Sequence, residues 1–319
     1  MNFQDLKTVE KSQFYLDVAF KKASKKASVL KNKRIKDQVI KSRVIEQKRI
    51  QIVKDTLTSS LGRIITGFPN FDNLPEFYDE LVKVTLDYEA IKKALASVNW
   101  AKNKTQELSN AYLNKIRFVK EKEDALNVRK QYYGRVSSVI ARIDSHLATL
   151  ENARKVMKSY PNIKTSVYTV AIAGFPNVGK STLLSKLTTS KPEIKEYAFT
   201  TKKLNIGYLN QGDAKIQFVD TPGTLNRFDK MNAIEKQAFL AIKYVADMII
   251  YVLDLTEPFP LEDQEKLLEK LRAFDKEIIL YLSKTDILDA KLITKFKEKY
   301  AAVISPAGLK DVIIKKAKD

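Results

Sequence analysis

A glycine-rich segment in the middle of the chain, GFPNVGKST over residues 174–182, has the spacing of a phosphate-binding loop. It follows an apolar run and precedes a run with helical periodicity, so backbone N–H groups and a helix N-terminus can surround phosphates. The Lys180 ammonium would contact the terminal phosphates, and the Ser181 hydroxyl would coordinate Mg²⁺. The alternative is an incidental glycine-rich turn, which the flanking strand and helix disfavour. The residues expected to form the loop are Gly174, Phe175, Pro176, Asn177, Val178, Gly179, Lys180, Ser181 and Thr182.

A second motif, DTPG over residues 220–223, directly follows the apolar run 215–219. The carboxylate of Asp220 could reach Mg²⁺ through water, and the N–H of Gly223 could hold the terminal phosphate. Taken alone, the four residues could form a simple turn. Because they come 40 residues after Lys180 and at the end of a predicted strand, they favour a loop that senses hydrolysis of the terminal phosphate.

A third motif, SKTD over residues 283–286, follows the apolar run 277–282 and indicates which base is bound. The carboxylate of Asp286 could accept hydrogen bonds from N1–H and the exocyclic amine of guanine, which adenine cannot offer. The aliphatic part of Lys284 would pack on the purine. Ser283 stands where such motifs usually have asparagine, and we expect this shorter side chain to weaken the tie to the phosphate-binding loop.

Two regions of different periodicity must position these motifs. Residues 31–160 have apolar residues at helical spacing, including a predicted antiparallel pair over 88–118 and 124–158, which indicates a bundle of three or four helices. After residue 160, short apolar runs alternate with helical ones, as is typical of a mostly parallel sheet with helices on both faces. We therefore predict an N-terminal all-α helical bundle in residues 1–165 and an α/β P-loop domain with a mostly parallel sheet in residues 166–319. The predicted strands are 167–174, 204–209, 215–219, 248–253, 277–282 and 301–304, and the predicted helices between and after them are 180–189, 233–245, 262–274, 290–300 and a last one after Gly308.

One long basic helix of the first region has an imperfect apolar stripe. Ser42 and Glu46 interrupt the stripe in its middle. The apolar residues assigned to it are Ile35, Val39, Ile50, Val53 and Leu57.

Charge separates the two regions. Residues 1–165 contain 33 basic and 18 acidic residues, a net charge of +15, whereas residues 166–319 have 24 and 20, a net charge of +4. Residues 21–50 alone have 12 basic residues against two acidic ones. The alternatives are a solvated helix face and a surface for an anionic partner, and this imbalance favours the anionic partner.

Composition excludes several other functions. The chain has no cysteine, so it has neither disulfides nor thiolate metal sites, and an intracellular compartment fits. It shows no signal-peptide-like run and no apolar stretch long enough to span a bilayer, so we expect a soluble cytoplasmic protein. His146, the single histidine, is expected to be structural. Trp100, Tyr132 and Tyr133 could stack on RNA bases, but helix-spaced aromatics favour core packing.

The segments GFPNVGKST, EYAFTTKKLNIG and DTPG resemble the Obg-related branch of translation-factor-class GTPases. Within that branch the chain is most similar to the nucleolar GTP-binding protein family, whose N-terminal helical domain resembles GFPNFDNLPEFYDELVKVTLDYEAIKKALASVNWAK of the helical region. This resemblance implies a Ras-like GTPase domain that binds GTP or GDP with Mg²⁺ and acts in assembly of the large ribosomal subunit. It implies ribosomal RNA and the large-subunit precursor as partners, with ribosomal proteins as further candidates and no membrane. We expect an archaeal-type short member without the C-terminal extension, monomeric off the ribosome.

The resemblance also implies roles for further residues. Thr201 matches the threonine that ligates Mg²⁺ only when a triphosphate is bound, and Phe199 and Thr200 lie with it in the corresponding switch loop. The last guanine-contacting motif corresponds to Ser305, Pro306 and Ala307, where Pro306 departs from the usual small residue.

The resemblance bears on catalysis as well. Thr224 occupies the position at which Ras-like enzymes have the glutamine that orients the attacking water, so we expect slow intrinsic hydrolysis. Asn177 matches the residue that helps hold K⁺ against the phosphates in potassium-activated relatives, which makes K⁺ a candidate cofactor. The residues assigned to catalysis are Lys180, Thr201, Gly223 and Asn177, and the assigned metal ligands are Ser181, Thr201 and Asp220.

Two other functions stay open on the sequence. A membrane-surface or signalling GTPase would use the basic helix to bind anionic lipid, but that helix has few aromatic or leucine residues along an exposed face. An ATPase or a nucleotide-binding scaffold with little hydrolysis is the other alternative, because Ser283 and Thr224 depart from the usual motifs.

Overall fold

The computed structural model describes residues 3–31, 35, 37–188, 193–194, 204–212, 214–222, 233–256 and 260–318. These residues form two compact units. We call residues 3–72 and 86–158 the helical unit, and residues 73–85 and 159–318 the sheet unit. None of the described helices combines the length and the apolar character that a bilayer span requires.

The helical unit consists of long helices packed through apolar faces. Ile50, Val53 and Leu57 are fully buried, as the predicted stripe requires, and Ser42 and Glu46 are buried with them. The polar interruptions of the stripe therefore lie inside the bundle, where they need polar partners. Its described helices are α1 (Ser12–Lys31), α2 (Gln38–Gly67), α4 (Tyr88–Arg117), α5 (Lys122–Ala141) and α6 (Asp144–Lys158), and α3 (Glu76–Thr85) belongs to the sheet unit.

Two helix assignments in this unit were wrong. The helix predicted over 124–158 is divided into α5 and α6, and α6 begins at Asp144, whose carboxylate accepts a hydrogen bond from the N–H of Ser12 at 2.8 Å. Helix α1 was missed because the helical region was assigned from residue 31 onward. Beyond Leu16 its buried face is made of small residues, Ala19, Ala23 and Ala27, which give a weak apolar signal although all three are fully buried.

The described strands of the sheet unit form one six-stranded sheet in the order β2-β3-β4-β1-β5-β6. Strands β4, β1, β5 and β6 are parallel to one another. Strand β3 pairs antiparallel with both β2 and β4. The strands are β1 (Thr169–Ala173), β2 (Glu193–Ile194), β3 (Asn205–Gln211), β4 (Ala214–Asp220), β5 (Met248–Leu253) and β6 (Glu277–Leu282). The helices of this unit after α3 are α7 (Lys180–Leu187), α8 (Ala233–Tyr244), α9 (Leu261–Arg272), α10 (Ala290–Tyr300) and α11 (Pro306–Lys316).

The predicted fold class, a helical bundle followed by a mostly parallel α/β sheet, is confirmed. β1 and β5 are buried along their whole length, as expected for central strands covered on both faces. The strand predicted over 301–304 is reduced to one bridge between Tyr281 and Val303, and the two-residue β2 was too short to give a sequence signal.

Helix α3 packs in the sheet unit although it comes early in the chain. Its hydroxyl-bearing Tyr78 is fully buried, accepts a hydrogen bond from the N–H of Ile163 at 3.0 Å and lies 2.9 Å from the carbonyl of Pro161. The predicted boundary between residues 165 and 166 divides the chain by sequence position, whereas packing assigns residues 73–85 and 159–165 to the sheet unit.

Candidate functional site

The segment 174–182 forms a tight loop after β1, over residues 174–179, and the first turn of α7. Gly174 has a φ of 148°, and a Cβ built on it would lie 2.6 Å from the carbonyl oxygen of Val252. Gly179 has a φ of 94° and precedes the first residue of α7. Both positions require glycine, because side chains rarely adopt this backbone conformation and the space at Gly174 is closed. The loop therefore curls tightly enough for its N–H groups to surround a phosphate.

The remaining residues of the phosphate-binding loop divide into anchors and exposed positions. Phe175 and Val178 are buried and fix the loop to the core, whereas Asn177, Ser181 and Thr182 are exposed. Asn177 has a φ of 62°, a left-handed conformation that asparagine tolerates better than most residues. The exposed positions are the ones that a ligand could contact.

Lys180 is buried within this loop. Its Nζ donates a hydrogen bond to the carbonyl oxygen of Phe175 at 2.6 Å. Burial lowers the pKa of Lys180 to about 8, and the nearby Asp220 carboxylate opposes that shift. The ammonium group thus lies in a poorly solvated position, where a phosphate would be a stronger partner than a carbonyl.

Asp220 ends β4 and lies beside both the phosphate-binding loop and β3. The sheet pairs it with Ile172 of β1 and with Asn205 of β3. Its Oδ2 accepts hydrogen bonds from the Ser181 hydroxyl at 2.6 Å and from the Asn205 amide at 3.0 Å. Its Oδ1 is buried without a hydrogen-bond partner in the part of the chain that the structure describes. Burial raises the pKa of Asp220, against the opposing effect of those two hydrogen bonds and of Lys180.

The side chains of Ser181 and Asp220 fit a Mg²⁺ ion. A hydroxyl and a carboxylate oxygen are ligands that Mg²⁺ accepts, usually together with waters and substrate phosphates. The unpartnered Oδ1 of Asp220 is a buried acceptor that a cation or its bound water could satisfy. The pair Ser181 and Asp220 can therefore hold the metal at the start of α7.

The segment 283–286 follows β6 and lies next to the phosphate-binding loop. The Ser283 hydroxyl donates to the carbonyl of Leu253 at 3.0 Å, and the N–H of Ser283 donates to the same oxygen at 2.9 Å. A Cβ built on Gly179 would lie 3.8 Å from the Cβ of Ser283. The serine thus ties its segment to the end of β5, and it meets the phosphate-binding loop only through its small side chain.

Lys284 is held by an ion pair with Asp254, whose own hydrogen bonds fix its position. We call this arrangement the Lys284 clasp, and the sequence pattern did not predict it. The Nζ of Lys284 lies 2.6 Å from Oδ2 of Asp254, whose other oxygen accepts hydrogen bonds from the N–H and hydroxyl of Thr256 at 2.9 and 2.6 Å. The side chain of Gln264 binds the backbone N–H and carbonyl of Asp254. The pKa of Asp254 is lowered, because hydrogen bonds from Lys284 and Thr256 outweigh its burial. The available signal was the position of Asp254 directly after the wholly apolar β5.

The two segments predicted to bind the base, residues 283–286 and 305–307, lie side by side. Val303 exchanges hydrogen bonds with β6, from its N–H to Leu280 and from the N–H of Leu282 to its carbonyl, each at 2.9 Å. This pairing places residues 305–307 beside 283–286. Ser305 caps α11 by accepting from the N–H of Gly308 at 2.9 Å, Pro306 begins that helix, and Asp286 and Ala307 are exposed.

Some predicted site residues are outside the described part of the chain. They are Phe199, Thr200, Thr201, Gly223 and Thr224. Their assigned roles in the switch loop, in metal binding and in catalysis stay predictions. Among the described residues, the site brings together a buried cation, two candidate Mg²⁺ ligands and an exposed carboxylate at the carboxyl ends of β1, β4, β5 and β6, the edge at which open parallel sheets bind ligands.

Comparisons with known proteins match both units. The family described as NOG1 N-terminal helical domain matches residues 3–164, and the family described as 50S ribosome-binding GTPase matches residues 169–284. An uncharacterized protein of Methanocaldococcus jannaschii is 34% identical over 295 residues, which is 91% of this chain and 83% of that protein. Nucleolar GTP-binding protein 1 of Drosophila melanogaster is 29% identical, and that of Saccharomyces cerevisiae is 27% identical.

The matches cover 93% and 90% of this chain but only 47% and 45% of the fly and yeast proteins. The chain thus spans about half the length of these nucleolar relatives. Among solved structures, the G domain of the T. maritima FeoB iron transporter is 25% identical, with 48% of this chain and 99% of that chain covered and a TM-score of 0.38.

The close approach at Gly174 gives a stability test. Gly174→Ala should lower the free energy of unfolding by about 3 kcal/mol or more, because the new methyl group meets a backbone oxygen in a left-handed position. Gly212→Ala is the matched control, since Gly212 has a φ of 59° and nothing within 4 Å of the built Cβ, and it should cost only about 1 to 2 kcal/mol. Urea denaturation followed by circular dichroism would measure both. Equal losses in the two variants would contradict the described loop geometry.

Proposed function

The chain belongs to the family of GTP-binding proteins that carry the NOG1 N-terminal helical domain, and from that premise we propose that it is a GTP-hydrolysing switch in assembly of the large ribosomal subunit. The sheet unit binds GTP or GDP with Mg²⁺, and the helical unit binds ribosomal RNA on the subunit precursor. The name of the second matched family, 50S ribosome-binding GTPase, and the nucleolar names of the relatives support a ribosomal role.

The arrangement of Asp220, Ser181 and Lys180 is the observation that carries the nucleotide part of the proposal. The buried Oδ1 of Asp220, which no described residue hydrogen-bonds, lies with the Ser181 hydroxyl at the start of α7, and the Lys180 ammonium binds the carbonyl of Phe175 in the adjoining loop. We assign Lys180 to the β- and γ-phosphates, and Ser181 and Asp220 to Mg²⁺, which would neutralise phosphate charge when bound. Thr201 and Gly223 complete the assignment as the residues that respond to the γ-phosphate.

Base selection is assigned to Asp286. Its carboxylate accepts from N1–H and the amine of guanine, Lys284 packs on the purine from its clasp with Asp254, and residues 305–307 contact the base oxygen. The exposure of Asp286 and its place beside 305–307 support this assignment.

Replacement of Asp286 tests base selection. Asp286→Asn should reduce the preference for GTP over ATP by roughly 10- to 100-fold, because an amide presents a donor where guanine also has donors. Asp311→Asn, the same change at an exposed position on α11, should leave the preference intact. Competition binding with a fluorescent GDP analogue in the presence of Mg²⁺ measures both, and a wild-type chain that binds ATP as tightly as GTP would refute the assignment.

We further propose that K⁺ activates hydrolysis through Asn177. The chain has Thr224 where Ras-like enzymes have the glutamine that orients water. A cation held against the phosphates by the exposed Asn177 would replace an arginine finger, which is worth about 10³- to 10⁵-fold in rate.

Two substitutions separate the side chain of Asn177 from its backbone conformation. Turnover should be faster in KCl than in NaCl at equal ionic strength, and both Asn177→Ala and Asn177→Gly should remove the difference. The glycine variant fits the φ of 62° without strain, so its loss of K⁺ dependence cannot come from distortion of the loop. A phosphate-release assay with identical wild-type rates in the two salts would rule out the K⁺ role.

Exposed cations of α1 support RNA binding by the helical unit. The alanine face of α1 is buried against the bundle, and Lys21, Lys22, Lys25 and Lys26 lie on its exposed side. Arg43 does not belong to this surface, because its guanidinium donates to the carbonyl of Val119. Phosphate binding by free lysines depends on salt, since each neutralised phosphate releases counterions.

Charge reversal on α1 tests this surface in the full chain. Changing all four α1 lysines to glutamate should weaken binding to ribosomal RNA and reduce the magnitude of the log–log salt slope by about 0.7 to 0.9 for each phosphate that is no longer neutralised. The control reverses four exposed lysines of the sheet unit, Lys291, Lys295, Lys297 and Lys318. Filter binding across a KCl series gives the slopes, and anionic lipid vesicles serve as a second ligand. Equal effects of the two sets, or tighter binding to vesicles than to RNA, would contradict the proposed role.

A further inference from the structure

The helical unit contains a polar pocket that the nucleotide site does not use. It has a volume of about 390 Å³ and lies between the first half of α2 and the start of α5. We call it the basic pocket, because the charged residues that line it are Lys41, Glu46, Arg49 and Lys122.

The basic pocket has more positive charge than its single carboxylate balances. Glu46 is buried, and its oxygens lie 2.9 Å from Nε of Arg129 and 3.6 Å from a terminal nitrogen of Arg49. Neither Lys41 nor Lys122 forms an ion pair with any described residue, and the buried Nε of Arg49 has no acceptor among them. Such a pocket attracts an anion that can accept several hydrogen bonds, and a phosphate meets that requirement.

The start of α5 adds donors to the same place. Lys122 is the first residue of α5, and the side chain of the preceding Glu121 makes no capping hydrogen bond. The first N–H groups of a helix lack partners within it and carry partial positive charge. The basic pocket therefore combines two lysines that pair with no described residue and a helix terminus without a side-chain cap, and the first turn of that helix also carries the exposed carboxylates of Glu123 and Asp124.

An exposed aromatic ring lies on the turn that leads into this helix. Phe118 is 81% exposed, the largest exposure of any large apolar side chain among the described residues. The turn is fixed to α2, because the Arg43 guanidinium donates to the carbonyl of Val119 and the Ser42 hydroxyl donates to that of Lys122 at 3.4 Å. Ser42 and Lys122 also line the basic pocket, so the ring is held on a rigid turn next to it.

We propose that the basic pocket binds a backbone phosphate of single-stranded RNA while Phe118 stacks on a neighbouring unpaired base. An exposed ring beside a cationic groove is the combination with which proteins bind single strands, whereas bases in a paired duplex have no free face for the ring. The inference rests on the RNA role proposed above and specifies the type of strand and the place at which it binds.

The test uses the full chain with an oligouridylate of about ten nucleotides and a blunt-ended RNA duplex of equal length. Phe118→Leu keeps an apolar side chain but removes the ring, and it should weaken binding of the single strand by roughly 5- to 150-fold with little change in salt slope. Phe118→Trp should bind like the wild type. Phe14→Leu, at an aromatic residue of α1 that is 50% exposed, is the matched control and should have no effect.

The phosphate interaction has a separate readout. Lys41→Ala combined with Lys122→Ala should reduce the magnitude of the salt slope for the single strand by about 0.7, the value expected when the one phosphate held by the basic pocket is no longer neutralised. Lys93→Ala combined with Lys102→Ala, on α4, is the control and should leave the slope unchanged.

Each contrary result overturns the proposal at a definite point. Equal affinity for duplex and single strand, a Phe118→Leu variant that binds like the wild type, or an unchanged slope in the Lys41 and Lys122 variant would each refute the basic pocket as a single-strand site. If the wild type still binds ribosomal RNA through the α1 lysines, only this inference fails. If the wild type binds neither the oligouridylate nor ribosomal RNA at low salt, the proposed RNA role fails as well.

Discussion

The sheet unit depends on one buried carboxylate. Asp220 ends β4 at the level where β1 gives way to the phosphate-binding loop, and the parallel register of β1 and β4 sets that level. The antiparallel register of β3 and β4 places Asn205 opposite it. A slip of one residue in either pairing would turn Asp220 to the other face of the sheet and separate it from Ser181. The order of the central strands and the position of α7 therefore both serve to hold the Asp220 carboxylate in place. They leave its Oδ1 available to a ligand.

The motifs with local spacing were predictable from the sequence. Phosphate binding needs glycines, a lysine and a hydroxyl within one loop, so GFPNVGKST specifies the loop between β1 and α7 without knowledge of the rest of the chain. The clasp of Lys284 was not predictable in the same way. It joins Asp254 and Gln264 to a residue that follows another strand, and the parallel pairing of β5 and β6 brings these residues together. For Ser283 the sequence predicted only a weaker tie to the phosphate-binding loop. It did not predict the hydrogen-bond acceptor, because that acceptor, the carbonyl of Leu253, lies 30 residues earlier.

The helical unit shows where periodicity misleads. Glu46 interrupts an apolar stripe, which reduced the signal for α2, but it is buried because Arg49 and Arg129 supply its partners. A buried charge of this kind needs partners from more than one helix, and one-dimensional spacing does not reveal them. Phe118 was overlooked for a related reason. In the sequence it is the last apolar residue of a helical pattern, which predicts burial. In the structure it is exposed on the turn that Arg43 holds.

The proposed function requires Asp220 to stay buried beside Ser181 for a nucleotide and its metal, at some expense to the stability of the protein without nucleotide. Thermal unfolding of the wild type and of Asp220→Asn, each with and without Mg²⁺ and GTP, tests it most directly. Without ligand, the variant should unfold at the higher temperature, because the amide removes a buried charge that lacks a full set of partners. With ligand at about 100 times the Kd, the wild type should gain about 2.7 kcal/mol, whereas the variant should gain little. A variant that is less stable without ligand and equally stabilised by Mg²⁺ and GTP would contradict the account.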